Sequence, residues 1–192
     1  MSFSLLQAAV EKTAKLNKEY KKQITYVLCT NVINLTAEIL QFCKQYSILI
    51  STSLDGPDFI HNQNRGKSDS YVHVIKGINK ARSSLGNDRV SALMTTSELS
   101  LNYPKEIVDN YIKNDFNNIF LRPLNPYGLA LKNTNWEVYF EKFVDFYKAA
   151  LNYIIDLNNQ GTFFIEEFTA ILLRKILTPF TTGFVDLQSP AG

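Results

Sequence analysis

The sequence predicts an α/β fold, a parallel sheet of about five strands with flanking helices. Two observations carry this. Short, mostly apolar runs recur along the chain, as strands buried on both faces of a parallel sheet would, and each is followed by apolar residues at helical spacing. At 192 residues, 45% hydrophobic and 20% charged, the chain is long enough to bury a core of its own as one domain.

A helix over residues 5–20 comes first, and the KEYKK run from Lys18 to Lys22 is its solvated end. Residues 24–29 form the first strand. Leu35, Ile39, Phe42, Cys43 and Tyr46 then share one helical face, with Thr36 as cap and Glu38 in the first turn. A strand at 48–51 leads, after a polar stretch, to the stripe Tyr71, Val74, Ile75, Ile78, Ala81 and Leu85. A strand at 90–94 precedes a helix that Pro104 opens and Ile107, Val108 and Tyr111 continue. After a strand at 119–121 the longest helix carries Trp136, Phe140, Phe143, Val144, Tyr147, Leu151 and Ile154, and Gly161 ends it. The last pair is a strand at 162–164 and a helix with Phe168, Ile171, Leu172 and Leu173 that stops before Pro179. Repeated βα units imply right-handed crossovers, in either an open doubly wound sheet or part of a barrel.

A net charge of +2 and a pI near 8.4, without a basic stripe, give no nucleic-acid footprint. No apolar run approaches the ~18–20 residues that cross a bilayer, and no leader pattern opens the chain, so a cytoplasmic protein is expected. The two cysteines, Cys29 on a strand and Cys43 on a helix, have neither disulfide nor metal-ligand spacing and read as buried small hydrophobes.

In a parallel α/β fold the site lies at the C-terminal strand ends. Those are Thr30-Asn31, the stretch from Ser51 to Pro57, Thr95-Thr96-Ser97, and the stretch from Arg122 to Gly128. They offer hydroxyl, amide and guanidinium groups, with no histidine–carboxylate pair and no metal-ligand cluster, which suits hydrogen bonding to a polar ligand better than hydrolysis. Taken singly, Asp55-Gly56-Pro57 reads as a turn, Asn31 as a loop cap and Arg65 as a surface cation. His61 and His73 read as structural or exposed. Glu166 and Glu167, about 100° apart on a helix, do not form an acid/base pair.

The ordered combination says more. Thr30-Asn31, then Ser53-Leu54-Asp55-Gly56-Pro57, then His61-Asn62-Gln63-Asn64-Arg65 resembles the anaerobic sulfatase-maturing (SPASM-type) branch of radical S-adenosylmethionine (radical SAM) enzymes, over nearly the whole chain. The stretches VSALMTTSELSL, IFLRPLNPYG and AILLRKILTPFTTGFVDLQSPAG resemble, within that branch, the maturase of the His-Xaa-Ser system, a modifier of small repeat-bearing peptides. The resemblance implies an incomplete (β/α) TIM-like barrel spanning residues 1–192. It further implies S-adenosylmethionine as cofactor, a 4Fe-4S cluster in the full-length family, and a peptide or small protein as partner and substrate. Ser53 and Arg65 would contact the methionyl and ribose portions and Leu124 would present backbone atoms to the adenine, with Asn31 and Asp55 on the same rim.

Two departures qualify it. The family's CxxxCxxC cluster motif and Gly-Gly-Glu-Pro strand end do not occur, so the N-terminal cluster-binding portion and the C-terminal auxiliary-cluster region are expected to be absent. Ala170 stands where the sulfatase-maturing relatives place a catalytic aspartate, so their substrate chemistry does not carry over. Two functions follow as expectations: a fragment of an enzyme that modifies a peptide by hydrogen abstraction, or a non-catalytic nucleoside- or peptide-binding module derived from that fold. A phosphate-binding barrel is disfavoured, because no glycine-rich loop leads into a helix.

Overall fold

A computed structural model describes residues 2–126 and 134–178. The chain divides into two compact units: Met1–Leu54 with His61–Leu93, and Asp55–Ile60 with Met94–Gly192.

In the first unit α1 (Phe3–Tyr20), β1 (Val27–Cys29), α2 (Ala37–Gln45), β2 (Leu49–Ser53), α4 (Ser70–Leu85) and β3 (Val90–Leu93) build a parallel sheet of order β1-β2-β3. Local chemistry sets the ends. Ser2 caps α1 by accepting the Leu5 amide, and Thr36 caps α2 by accepting the Ile39 amide at 3.2 Å, contacts worth about 1 kcal/mol each. The α1 helix stops where Lys21 turns left-handed and the Asn17 side chain clasps both backbone groups of Lys22.

Side-chain parity divides the sheet into unlike faces. Leu28, Ile50 and Val90 stand in register, as do Thr52 and Ala92, and all are buried. Val10 of α1 and Phe42 of α2 pack with Leu28, and α4 packs on β2 and β3. The alternate residues, Cys29, Ser51 and Ser91, then Ser53 beside Leu93, form a polar face that is exposed or half-exposed. The helices therefore gather on one side, which is the arrangement of a barrel wall. Parity also corrects the expectation for Cys29. Cys43 is buried, whereas Cys29 falls on the polar face and is exposed.

A helix that periodicity did not reveal, α3 (Asp58–Arg65), follows β2 and ends at left-handed Gly66. Its apolar positions are few because Asn62 faces a loop: Asn62 accepts the Tyr71 amide at 2.8 Å and donates to the Ser68 carbonyl at 2.7 Å.

The second unit holds α5 (Pro104–Lys113), β4 (Asn118–Ile119), α6 (Trp136–Asn159), β5 (Ile165–Glu166) and α7 (Glu167–Leu177), with β4 and β5 parallel. Ile107, Val108 and Tyr111 of α5 are fully buried, as are Phe146, Ala150 and Ile154 of α6, and the two helices pack together. The fifth strand begins three residues later than expected. The Asn158 side chain ends α6 by donating to the Phe164 carbonyl and accepting its amide, so pairing starts only at Ile165. Among the described residues every strand pair is parallel, as expected, and the five strands there hydrogen-bond as a three-stranded and a two-stranded sheet.

Candidate ligand-binding site

Within the first unit, Ser53 ends β2 on the polar face, half-buried, while its neighbour Thr52 faces the helices. Asn31 lies in the loop after β1. Thr30 Oγ1 accepts the Val32 amide at 3.2 Å and Asn31 Oδ1 accepts the Ile33 amide at 3.3 Å, a pair of local turns that fixes this loop. Val32 itself is left-handed (φ 57°) and buried, an unfavourable state for a β-branched residue. It is accommodated because position 77 of α4 is glycine: a Cβ there would lie 2.5 Å from the Val32 carbonyl oxygen. A pocket of about 290 Å3 opens at this strand end, with Cys29, Thr30, Asn31 and Asn34 on its wall. Arg65 occupies the last turn of α3 and is exposed. His61 is buried and hydrogen-bonds through Nε2 to the Ser70 hydroxyl at 3.2 Å, a structural role.

In the second unit Asp55 is fully buried and its carboxylate accepts the Thr95 amide at 2.8 Å. Asp55 is therefore a clamp between two strand-end segments. The Leu124 amide donates to the Tyr139 hydroxyl at 2.7 Å, and that hydroxyl donates to the Thr96 carbonyl at 2.7 Å. Thr96 in turn donates to the Arg122 carbonyl at 2.7 Å. The Leu124 amide is thus committed to the Tyr139 hydroxyl. Burial raises the Tyr139 phenol above its ordinary range, against the Leu124 hydrogen bond and with the help of Glu98.

The sequence reading missed a buried carboxylate. Glu166 Oε1 accepts the Leu121 amide at 3.1 Å, and its Oε2 accepts the Tyr147 hydroxyl at 2.7 Å and the Thr169 amide at 2.6 Å. Glu166 does not pair with Glu167 but closes β5 and caps α7. Its signal was a carboxylate directly after the apolar run FFI. Burial raises the Tyr147 phenol; the Thr169 hydroxyl opposes the rise, and the hydrogen bond and charge of Glu166 add to it. The proton is therefore held more tightly in the native state than in the unfolded chain, whose tyrosines ionise near pH 10. Stability from this group is complete below about pH 10 and is lost as pH rises beyond it. Urea unfolding of wild type and Tyr147→Phe between about pH 9 and 11 is expected to show a shallower alkaline loss in the variant. Equal slopes would exclude Tyr147 as a source.

The donor set does not fit a 4Fe-4S cluster. The motif of the resembled family needs three thiolates, and the sequence has two cysteines, one on the sheet and one buried in α2. Among the described residues no three His, Cys, Asp or Glu side chains converge as ligands, and no helix is long and apolar enough to cross a membrane.

No protein-family model matches the chain. A protein of Methanothermobacter thermautotrophicus described as uncharacterized is 28% identical over 152 residues, which is 79% of this chain and 52% of that one. Among solved structures, a hexahistidine-tagged form of the anaerobic sulfatase-maturating enzyme anSMEcpe with bound AdoMet superposes with a TM-score of 0.73 at 18% identity, over 92% of this chain and 49% of its own. Native anSMEcpe with bound AdoMet and the Kp18Cys peptide gives 0.69 at 19% identity, over 87% and 48%. The α/β fold is thus shared with these AdoMet-bound structures, and this chain spans about half the length of the relatives it matches.

Proposed function

We propose that this chain is the S-adenosylmethionine-holding part of a radical SAM enzyme that modifies a peptide or small protein, with His-Xaa-Ser peptides as the narrower substrate class. The observation that carries the reading is the position of Ser53, at the C-terminal end of β2 on the polar face, in a fold shared with enzymes solved with AdoMet. In the first unit Ser53 and Arg65 are assigned to the methionyl and ribose oxygens, because a hydroxyl and a guanidinium fork match a carboxylate and a sugar, and Asn31 adds an amide. The second unit is read by itself: Leu124 offers backbone atoms suited to a nucleoside base, and the Asp55 carboxylate holds the Thr95 amide. Radical chemistry would need an electron donor that this chain's described residues do not hold, so the role assigned to them is to bind and orient S-adenosylmethionine.

The two-cysteine composition favours a second reading, a non-catalytic nucleoside- or peptide-binding module. Equilibrium dialysis with S-adenosylmethionine separates them. Without cluster iron and the Gly-Gly-Glu-Pro contact, two polar anchors of ~1.5–3 kcal/mol each are lost, which weakens a micromolar ligand to about millimolar or beyond. The proposed function predicts such weak binding, diminished by Arg65→Ala. Micromolar affinity would favour the module instead.

A further inference from the structure

In the second unit a pocket of about 330 Å3 lies between α6, the segment after β4 and the start of α7. Phe120 and Phe168 stack at 6.4 Å and 17° on one wall, and Phe143 and Val144 form another. Phe168 is 39% exposed and Val144 46%, large apolar surfaces left open to solvent. Arg122 and Lys148 stand at the pocket, and neither meets a carboxylate among the described residues. The Glu166 carboxylate, hydrogen-bonded to the lining residue Tyr147, also takes the Leu121 and Thr169 amides. The opening is therefore apolar within, and the charged side chains that line it, Arg122 and Lys148, are both cations.

We propose that this pocket anchors one aromatic or large aliphatic side chain of an acidic peptide. Its volume is at the small end of ligand sites, suited to one side chain, and its walls lack the convergent polar groups that would orient a nucleotide. An apolar anchor with a charged surround is how peptides are gripped, and two cations without a carboxylate partner among the described residues favour a partner whose flanking residues are carboxylates. The inference does not rest on S-adenosylmethionine binding and concerns the second unit alone.

The test is fluorescence anisotropy of the full chain with a labelled Asp-Asp-Phe-Asp-Asp peptide. Binding in the range of tens of micromolar is expected, roughly tenfold weaker for Ser-Ser-Phe-Ser-Ser and for the acidic peptide with Phe replaced by Ser. Lys148→Glu and Val144→Glu, both at exposed positions, should each weaken binding about tenfold or more while leaving the thermal melt in place. Lys148→Gln, which removes charge alone, should fall between. No binding below about 1 mM, equal binding of the peptide without Phe, or unchanged binding by the folded variants would overturn the proposal.

Discussion

Glu166→Ala is expected to destabilise the second unit by roughly 3 kcal/mol or more, the largest loss we anticipate from any single side chain. The carboxylate is 3% exposed and takes three donors, from Leu121, Tyr147 and Thr169. Removing it strands the buried Leu121 amide, at ~1–3 kcal/mol, and the part-buried Thr169 amide, and empties the N-cap of α7. Tyr147 fares better, because its hydroxyl keeps Thr169 Oγ1 at 2.7 Å. Glu166→Gln should be milder than alanine, yet still costly, since its amide nitrogen must face a donor. Urea unfolding followed by circular dichroism measures this. A loss under about 1 kcal/mol would mean that water or a rearranged α7 satisfies the stranded groups.

Gly77→Ala is expected to cost about 2–3 kcal/mol, at the upper end of overpacking effects. The added methyl would sit 2.5 Å from the Val32 carbonyl oxygen and 2.7 Å from its Cγ2. Because the closest atom is backbone, no rotamer change relieves the clash. The strand-end loop with Thr30 and Asn31 must move, so the Asn31 amide resonance should shift along with the loss of stability. A variant within about 0.5 kcal/mol of wild type would show that the Val32 turn yields freely.

These two residues also mark what periodicity could and could not disclose. Leu28, Ile50 and Val90 follow the strand pattern and Ile78 and Ala81 the helical one, so the βα order was legible from apolar spacing alone. The α3 helix was not, because Asn62 serves a loop and Arg65 a helix end instead of an apolar face. Cys29 was read as buried because type was weighed without parity. Ser53 was recognised by its place in a motif, and the structure adds that it shares the polar face with Ser51 and Ser91 while Thr52 does not. Glu166 escaped notice because Leu121 and Tyr147 reach it through the tertiary fold, and only its cap to the Thr169 amide is local.

The central claim, that the β2 strand end belongs to an S-adenosylmethionine site, is tested most directly by amide NMR of the full chain titrated with S-adenosylmethionine to about 10 mM, a concentration that reaches binding of ~1 mM strength. The predicted result is a saturating shift of the Asn31, Ser53 and Arg65 amides with a Kd near or above ~1 mM, reduced by Arg65→Ala. Shifts confined to other residues, or none at these three amides, would contradict the assignment.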